Sequence, residues 1–234
     1  MGKSFRFLFQ FTGWNVLAIL AFAVIVIAGT IATGGGEADN LFVTYFRTFP
    51  FVAQWILYIF AFALCTSNLN LAVSFGARRR DFFWALQGTL LLYTATCWVL
   101  QAVITAMPGL LRWGNQEEWE LLFNLGGGDS IWLYPLLCLC VLALGCLSGL
   151  VFGRSKAMGA LVIFVSFLVF FAGMILMMVG IPAGEAIADP SSGLSGTLIA
   201  LWGNLPLLLT LGLLIVLAVC EAIIYRTVSR FTVR

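Results

Sequence analysis

Long apolar runs follow one another along the chain, separated by short polar or glycine-containing breaks. A membrane-spanning helix needs about 20 apolar residues, and six runs approach or exceed that length. The predicted spans are residues 12–31, 51–73, 82–107, 131–152, 158–181 and 205–225. This pattern predicts an all-α polytopic membrane protein with six transmembrane helices in a single transmembrane domain, residues 1–234.

Three segments outside these runs have their own patterns. Residues 1–11 mix basic and aromatic groups, which predicts either an amphipathic helix on the membrane surface or a basic tail. The loop 108–130 places acidic residues among tryptophans and leucines, which suits a short interfacial helix. Gly203, Asn204 and Pro206 interrupt the last run, so segment 194–204 is predicted to be re-entrant or interfacial.

Composition supports lipid as the solvent for this chain. Of its 234 residues 62% are hydrophobic and 9% are charged, whereas a soluble domain carries about 25% charged residues. The first run is as long as a span, and no small-residue cleavage site follows it. We therefore interpret it as a span rather than a signal peptide.

The distribution of charge predicts an orientation. Ten of the 12 Lys and Arg residues lie in four segments: the N-terminus, the second-to-third turn, the fourth-to-fifth turn and the C-terminal tail. The three opposite loops and their flanks hold eight of the ten acidic residues. Because basic loops stay in the cytoplasm, both termini are expected to be cytoplasmic, in a multi-pass protein of the cell membrane.

Several kinds of chemistry are excluded by what the sequence lacks. It has no histidine, so histidine-dependent metal sites and acid–base catalysis are ruled out. It has no phosphate-binding loop motif and no pair of carboxylates within a span. All six cysteines lie in apolar runs and are interpreted as small apolar fillers. We therefore expect no catalytic residues, no bound metal or cofactor and no nucleic-acid partner.

A row of polar residues follows one face of the third predicted span. Gln87, Thr94, Gln101 and Thr105 are spaced by seven, seven and four residues, which places them on one side of a helix. Such a row either lines a substrate path or forms hydrogen bonds between helices.

Glycines recur at every fourth position in the fourth span, at Gly145, Gly149 and Gly153. This spacing makes a groove in which another helix backbone approaches closely. We favour packing within the chain, with packing against a second copy as the alternative.

One carboxylate lies near the cytoplasmic end of the sixth span. Glu221 has a depth similar to that of Asn68 and Asn70 near the end of the second span. Either it pairs with a basic residue of the rim, Arg226 or the 78–80 arginines, or it reaches to the interface unpaired.

The turn over residues 74–83 is compact, basic and flanked by aromatic residues. Three adjacent arginines exceed what one turn needs to fix topology. Arginine is well suited to pairing with carboxylates of a protein partner, and contact with lipid headgroups is the alternative explanation.

This turn also carries a resemblance. A polar-tipped span, then Phe-Gly-x-x-Arg-Arg-x-x-Phe-Phe, then another span, resembles the membrane subunits of ABC-2-type ABC transporters in their short bacterial six-span form. The matching residues are Phe75, Gly76, Arg78, Arg79, Phe82 and Phe83.

The resemblance implies a permease in the bacterial plasma membrane that pairs with a second permease copy or a related permease. ATP and magnesium would be bound by a separate ABC ATPase subunit, which would dock on the turn that also includes Arg80 and Asp81. The implied cargo is an exported amphipathic compound, peptide or lipid.

Three other functions compete with this one. A scaffold or accessory subunit that transports nothing has the same sequence features. A stand-alone channel or carrier is disfavoured, since no ionisable residue lies near the middle of a span. An intramembrane enzyme acting on lipid lacks a recognisable acid–base pair.

Overall fold

The computed structural model describes residues 2–32, 41–74, 78–111, 132–168 and 205–229, and within these ranges the backbone is helical except at turns. The helices are α1 (Gly2–Ala32), α2 (Leu41–Ala63), α3 (Leu69–Ser74), α4 (Arg79–Leu111), α5 (Leu133–Arg154), α6 (Lys156–Leu168) and α7 (Leu205–Ser229). A five-residue π-helical turn, Leu64–Asn68, joins α2 to α3. The all-α class predicted from the sequence is confirmed for this part of the chain.

Five of these helical stretches are long and apolar enough to cross a membrane. They are Leu8–Ile25, Val52–Ser74, Arg79–Val103, Leu133–Arg154 and Thr210–Ser229. Helix α6 is apolar and covers the start of the predicted span 158–181, whose residues 169–181 lie outside the described ranges. The described residues therefore contain five candidate spans, whereas the whole sequence predicts six.

Two helices extend beyond their apolar runs and pass through proline. Helix α2 begins at Leu41 and includes Pro50, and α4 continues through Pro108 to Leu111. Helix α4 thus continues past residue 107, the predicted end of the third span, although its candidate membrane-spanning stretch ends at Val103. Membrane helices tolerate proline because neighbouring groups satisfy the backbone carbonyl that it frees. Likewise α1 is continuous from Gly2, so residues 2–11 belong to the helix of the first span.

Helix α5 is central in the bundle and packs against α2, α4 and α7. Its contact with α2 depends on glycine. A β-carbon added at Gly145 would lie 2.6 Å from the Tyr58 carbonyl oxygen, and one at Gly149 would lie 2.6 Å from that of Phe62. The contact moves from Tyr58 to Phe62 along α2 as it moves from Gly145 to Gly149 along α5, so the two helices run in the same direction.

The close approach ends before Gly153, where a β-carbon would meet none of the described atoms within 4 Å. Two of the three glycines in the sequence motif thus form the contact, and their partner is a helix of the same chain. Phe152 continues the interface instead, with its ring 5.6 Å from that of Phe62.

Polar side chains join helices inside this apolar core. The Tyr58 hydroxyl donates to Ser148 Oγ at 2.7 Å, which links α2 to α5. The Asn15 amide donates to the Tyr93 hydroxyl at 2.8 Å, which links α1 to α4, and Tyr93 is fully buried. Neither pair was singled out from the sequence, although an asparagine within an apolar run was a usable signal.

Candidate functional site at the basic end of the bundle

Helices α4 and α7 run antiparallel and meet at three successive turns. Arg79 Nη1 donates to the Ser229 carbonyl at 3.5 Å, the rings of Phe83 and Tyr225 are 5.1 Å apart, and the Gln87 amide donates to Glu221. Each step is four residues on both helices, so the three contacts follow one seam. We call these six residues the α4–α7 seam. It places the N-terminus of α4 beside the C-terminus of α7.

The basic turns lie at this same end. Arg78 follows Ser74, the last residue of α3, by four residues, so the two residues lie at most about 14 Å apart. The end of α3 therefore lies near the start of α4. Because α5 runs parallel to α2, its C-terminal Arg154 lies at this end too, together with Arg226 of α7. We call this face the basic end.

Trp98 of α4 and Trp132 before α5 lie toward the end of the bundle opposite the basic end, with ring centroids 6.2 Å apart. Trp98 is 39% exposed and Trp132 is 70% exposed. Exposed tryptophan pairs of this kind are typical of the membrane–water interface, where an amphipathic ring lies at headgroup level.

The three arginines of the turn have different roles in the structure. The Arg78 carbonyl accepts the first helical hydrogen bond of α4, from the Phe82 amide at 2.9 Å. Arg78 and Arg80 are exposed, whereas Arg79 is half-buried and bonds to Ser229. These three neighbours could not be distinguished from the sequence, because their different roles depend on the position of α7.

Helix stability does not explain why Arg78 and Arg80 are present at the start of α4. A cation near a helix N-terminus is unfavourable by about 0.3–1 kcal/mol, since the helix dipole is positive there. Asp81 in the first turn of α4 has the favourable sign. Arg78 and Arg80 therefore form an exposed pair of cations at a position where α4 itself gains nothing from them.

The aromatic residues of the predicted coupling turn point into the protein. Phe82 is fully buried and Phe83 is 9% exposed, packed edge-on against Trp84 and Tyr225. They fix the first turn of α4 within the bundle. Phe75 and Gly76 lie outside the described residues.

The π-helical turn Leu64–Asn68 lies one short helix away from the basic turn. A π-helical turn leaves backbone carbonyls without their usual partners, and such turns are frequent at functional sites and at helix kinks. Here the Thr66 hydroxyl donates to the Phe62 carbonyl at 3.0 Å, and that of Ser67 donates to the Ala63 carbonyl at 2.8 Å. These two hydroxyls satisfy carbonyls where the helical pattern changes.

The polar row on α4 does not share a single environment. Gln87 is half-buried and bonds to Glu221, whereas Thr94 and Gln101 are each 6% exposed and face the bundle interior. The Thr94 hydroxyl has no hydrogen-bond partner among the described residues. The side chain of Thr105 lies outside them.

Glu221 pairs differently from the alternatives considered for the sequence. Among the described residues its one hydrogen-bond partner is the neutral Gln87 amide, rather than Arg226 or an arginine of the turn. Arg226 follows five residues later and points about 140° away around α7. The arginines of the turn are about two helical turns away along the seam.

A small cavity of about 30 Å³ lies between α2, α5 and α6. Its wall includes Gln54, Trp55, Tyr58, Ser166 and Phe167. Gln54 is 2% exposed, and its Oε1 has no partner among the described residues. Gln54 was not identified from the sequence.

The described part of the chain contains no group of three or more cysteine, aspartate or glutamate residues placed to hold a metal ion. All six cysteines are buried free thiols, and they fill helix contacts. The Cys140 thiol, for example, lies 3.2 Å from the Leu213 carbonyl of α7.

Fold and site together define a multi-pass α-helical membrane protein with a basic end. Comparisons with protein-family models, with curated proteins and with solved structures gave no match.

Proposed function

We propose that this protein is the permease subunit of an ABC-2-type transporter, moving a substrate across the membrane with a separate ATPase docked at its basic end. The observation that carries the proposal is the exposed pair Arg78 and Arg80, placed next to Arg79, which ties α4 to α7. The resemblance of residues 75–83 to the coupling segment of that family supports the same function.

The geometry suits the transmission of force. A partner that grips Arg78 and Arg80 holds the N-terminus of α4, which is fixed in the bundle by the buried Phe82. Displacement of α4 then moves α7, because the seam joins them at three successive turns. The π-helical turn between α2 and α3 is a point at which the preceding span can bend while it remains helical.

Orientation and span number belong to this proposal. The positive-inside rule places the basic end in the cytosol, where an ATPase subunit works. Helix α6 together with the residues that follow it would complete a sixth span, with both termini cytoplasmic. The cell membrane, a bacterial source and a second permease copy follow from the resemblance and are proposed with it.

Co-purification tests this function. The tagged chain is expressed in its native host, extracted in mild detergent and assayed for bound protein and for ATP hydrolysis. We expect an ATPase subunit to co-purify with the wild type, and the double variant Arg78→Glu/Arg80→Glu to lose most of it. Charge reversal opposes the acidic surface that the arginines are proposed to contact.

The matched control is Arg154→Glu/Lys156→Glu. It makes the same change of charge at the other basic turn of the same end, and it should retain the ATPase. Equal loss from both variants would show a general dependence on charge. Absence of an ATPase from the wild-type preparation would favour the scaffold or accessory function instead.

A further inference from the structure

The α4–α7 seam carries a carboxylate that has no cationic partner among the described residues. Glu221 lies eight residues from Ser229, about 12 Å along α7 from the basic end. It is therefore near the middle of the candidate span Thr210–Ser229, deeper than the sequence predicted. A carboxylate at that depth is unfavourable unless a cation or several donors compensate it. The Gln87 amide supplies one neutral hydrogen bond, and no other described residue uses the remaining accepting capacity of the carboxylate.

Three aromatic rings lie one helical turn from this carboxylate. Phe83 contacts Trp84 at 5.7 Å and Tyr225 at 5.1 Å between ring centroids, both edge-on. Trp84 is 52% exposed and Tyr225 is 48% exposed in the described chain. The cluster therefore presents ring surface on the outside of the bundle, about 6 Å along the helix from Glu221.

A carboxylate beside exposed aromatic rings matches one class of ligand. Organic cations are recognised by ring faces through their quadrupoles and by carboxylates through charge. The apolar surroundings strengthen both interactions, because water does not screen them. A neutral molecule gains nothing from the charge of an ionised Glu221, and an anion is repelled by it.

We propose that Glu221, Gln87 and the Phe83–Trp84–Tyr225 cluster form a binding site for lipophilic organic cations, reached from the lipid at the α4–α7 seam. The bound cation contacts the Glu221 carboxylate, and its apolar groups lie against Trp84 and Tyr225. Gln87 orients the carboxylate. Under the proposed transport function this site defines the cargo as a cationic amphipathic compound.

Binding is tested on the purified full chain in nanodiscs of uncharged phosphatidylcholine, without any ATPase. The probes are tetraphenylphosphonium and tetraphenylborate, which have nearly the same shape and opposite charge. The wild type should bind the cation saturably and show no saturable binding of the anion. Equal binding of both probes, or of neither, would overturn the proposal.

Variants locate the site. Glu221→Gln should weaken cation binding at least about tenfold, as loss of one partner from a desolvated charge pair does. Glu118→Gln makes the same change of charge in the segment between α4 and α5, and it should bind like the wild type. Thermal unfolding of each variant shows whether it is folded. Unchanged binding by folded Glu221→Gln would place the cation elsewhere.

The aromatic part is tested by Trp84→Leu, which keeps an apolar side chain and removes the ring. Cation–π attraction contributes roughly 0.5–2 kcal/mol, so affinity should fall about two- to thirtyfold. Failure of these binding tests leaves ATPase docking untouched, and failure of co-purification leaves cation binding untouched. The two proposals are therefore separable.

Discussion

Arg79 donates from Nη1 to the Ser229 carbonyl across 150 residues of sequence, and so joins the first turn of α4 to the last turn of α7. The last carbonyls of a helix have no partner within it, and a cation near them is favourable. One arginine of the triplet thus has a structural role, while its neighbours Arg78 and Arg80 remain exposed.

This division of roles gives the first prediction. Arg79→Ala should loosen the end of α7, with a loss of about 0.3–1 kcal/mol of local stability, because a cation and a donor are removed from its C-terminus. Hydrogen exchange of the amides in Thr227–Ser229 measures the effect. Arg80→Ala is the control and should leave these amides as protected as in the wild type. Equal exchange in the two variants would contradict the assignment.

The contact between α2 and α5 gives a second prediction. Gly149→Ala places a methyl group 2.6 Å from the Phe62 carbonyl oxygen, so the helices must separate. We expect destabilisation of about 1–3 kcal/mol, as for overpacked cores. Gly153→Ala is the matched control within the same motif, where no described atom lies within 4 Å of the added carbon.

Unfolding in micelles, followed by circular dichroism, compares these two variants. Gly153→Ala should be neutral or slightly stabilised, because alanine restricts the unfolded chain more than glycine. Destabilisation of both variants to the same extent would mean that the close contact extends over the whole motif.

A third prediction concerns the hydrogen bond between Tyr58 and Ser148. A double-mutant cycle with Tyr58→Phe and Ser148→Ala should give a coupling of about 0.6 kcal/mol and at most about 1.7, the range found for hydrogen bonds between membrane helices. Micelle unfolding of the four proteins supplies the numbers. Strict additivity would show that the 2.7 Å contact contributes nothing to stability.

Simple sequence patterns predicted much of this architecture. Apolar runs predicted helices and spans because lipid requires every backbone group to be satisfied within its own segment. Helix ends were less predictable: α2 and α4 include Pro50 and Pro108, where proline is expected to interrupt a helix. The spacing of Gly145 and Gly149 predicted close packing but did not identify α2 as the partner.

The candidate site was predictable only in part. The charge of residues 78–80 is visible in the sequence, but the pairing of Arg79 with Ser229 depends on how α7 is placed. Glu221 was recognised as unusual, and its partner was not, because Gln87 is 134 residues away and neutral. Gln54 and Asn15 are polar residues isolated in apolar runs, which is a signal worth following in any membrane helix.

The account depends most on which side of the membrane the basic end faces. Ser155, between α5 and α6, and Trp132, at the opposite end, are both exposed, whereas the six native cysteines are buried. A cysteine is introduced at each of these two positions in a separate variant. A membrane-impermeant maleimide is applied to intact cells and to opened membranes. Trp132→Cys should be labelled in intact cells and Ser155→Cys only after the membrane is opened. Labelling of Ser155→Cys from outside would contradict a cytosolic basic end, and with it the docking of an ATPase.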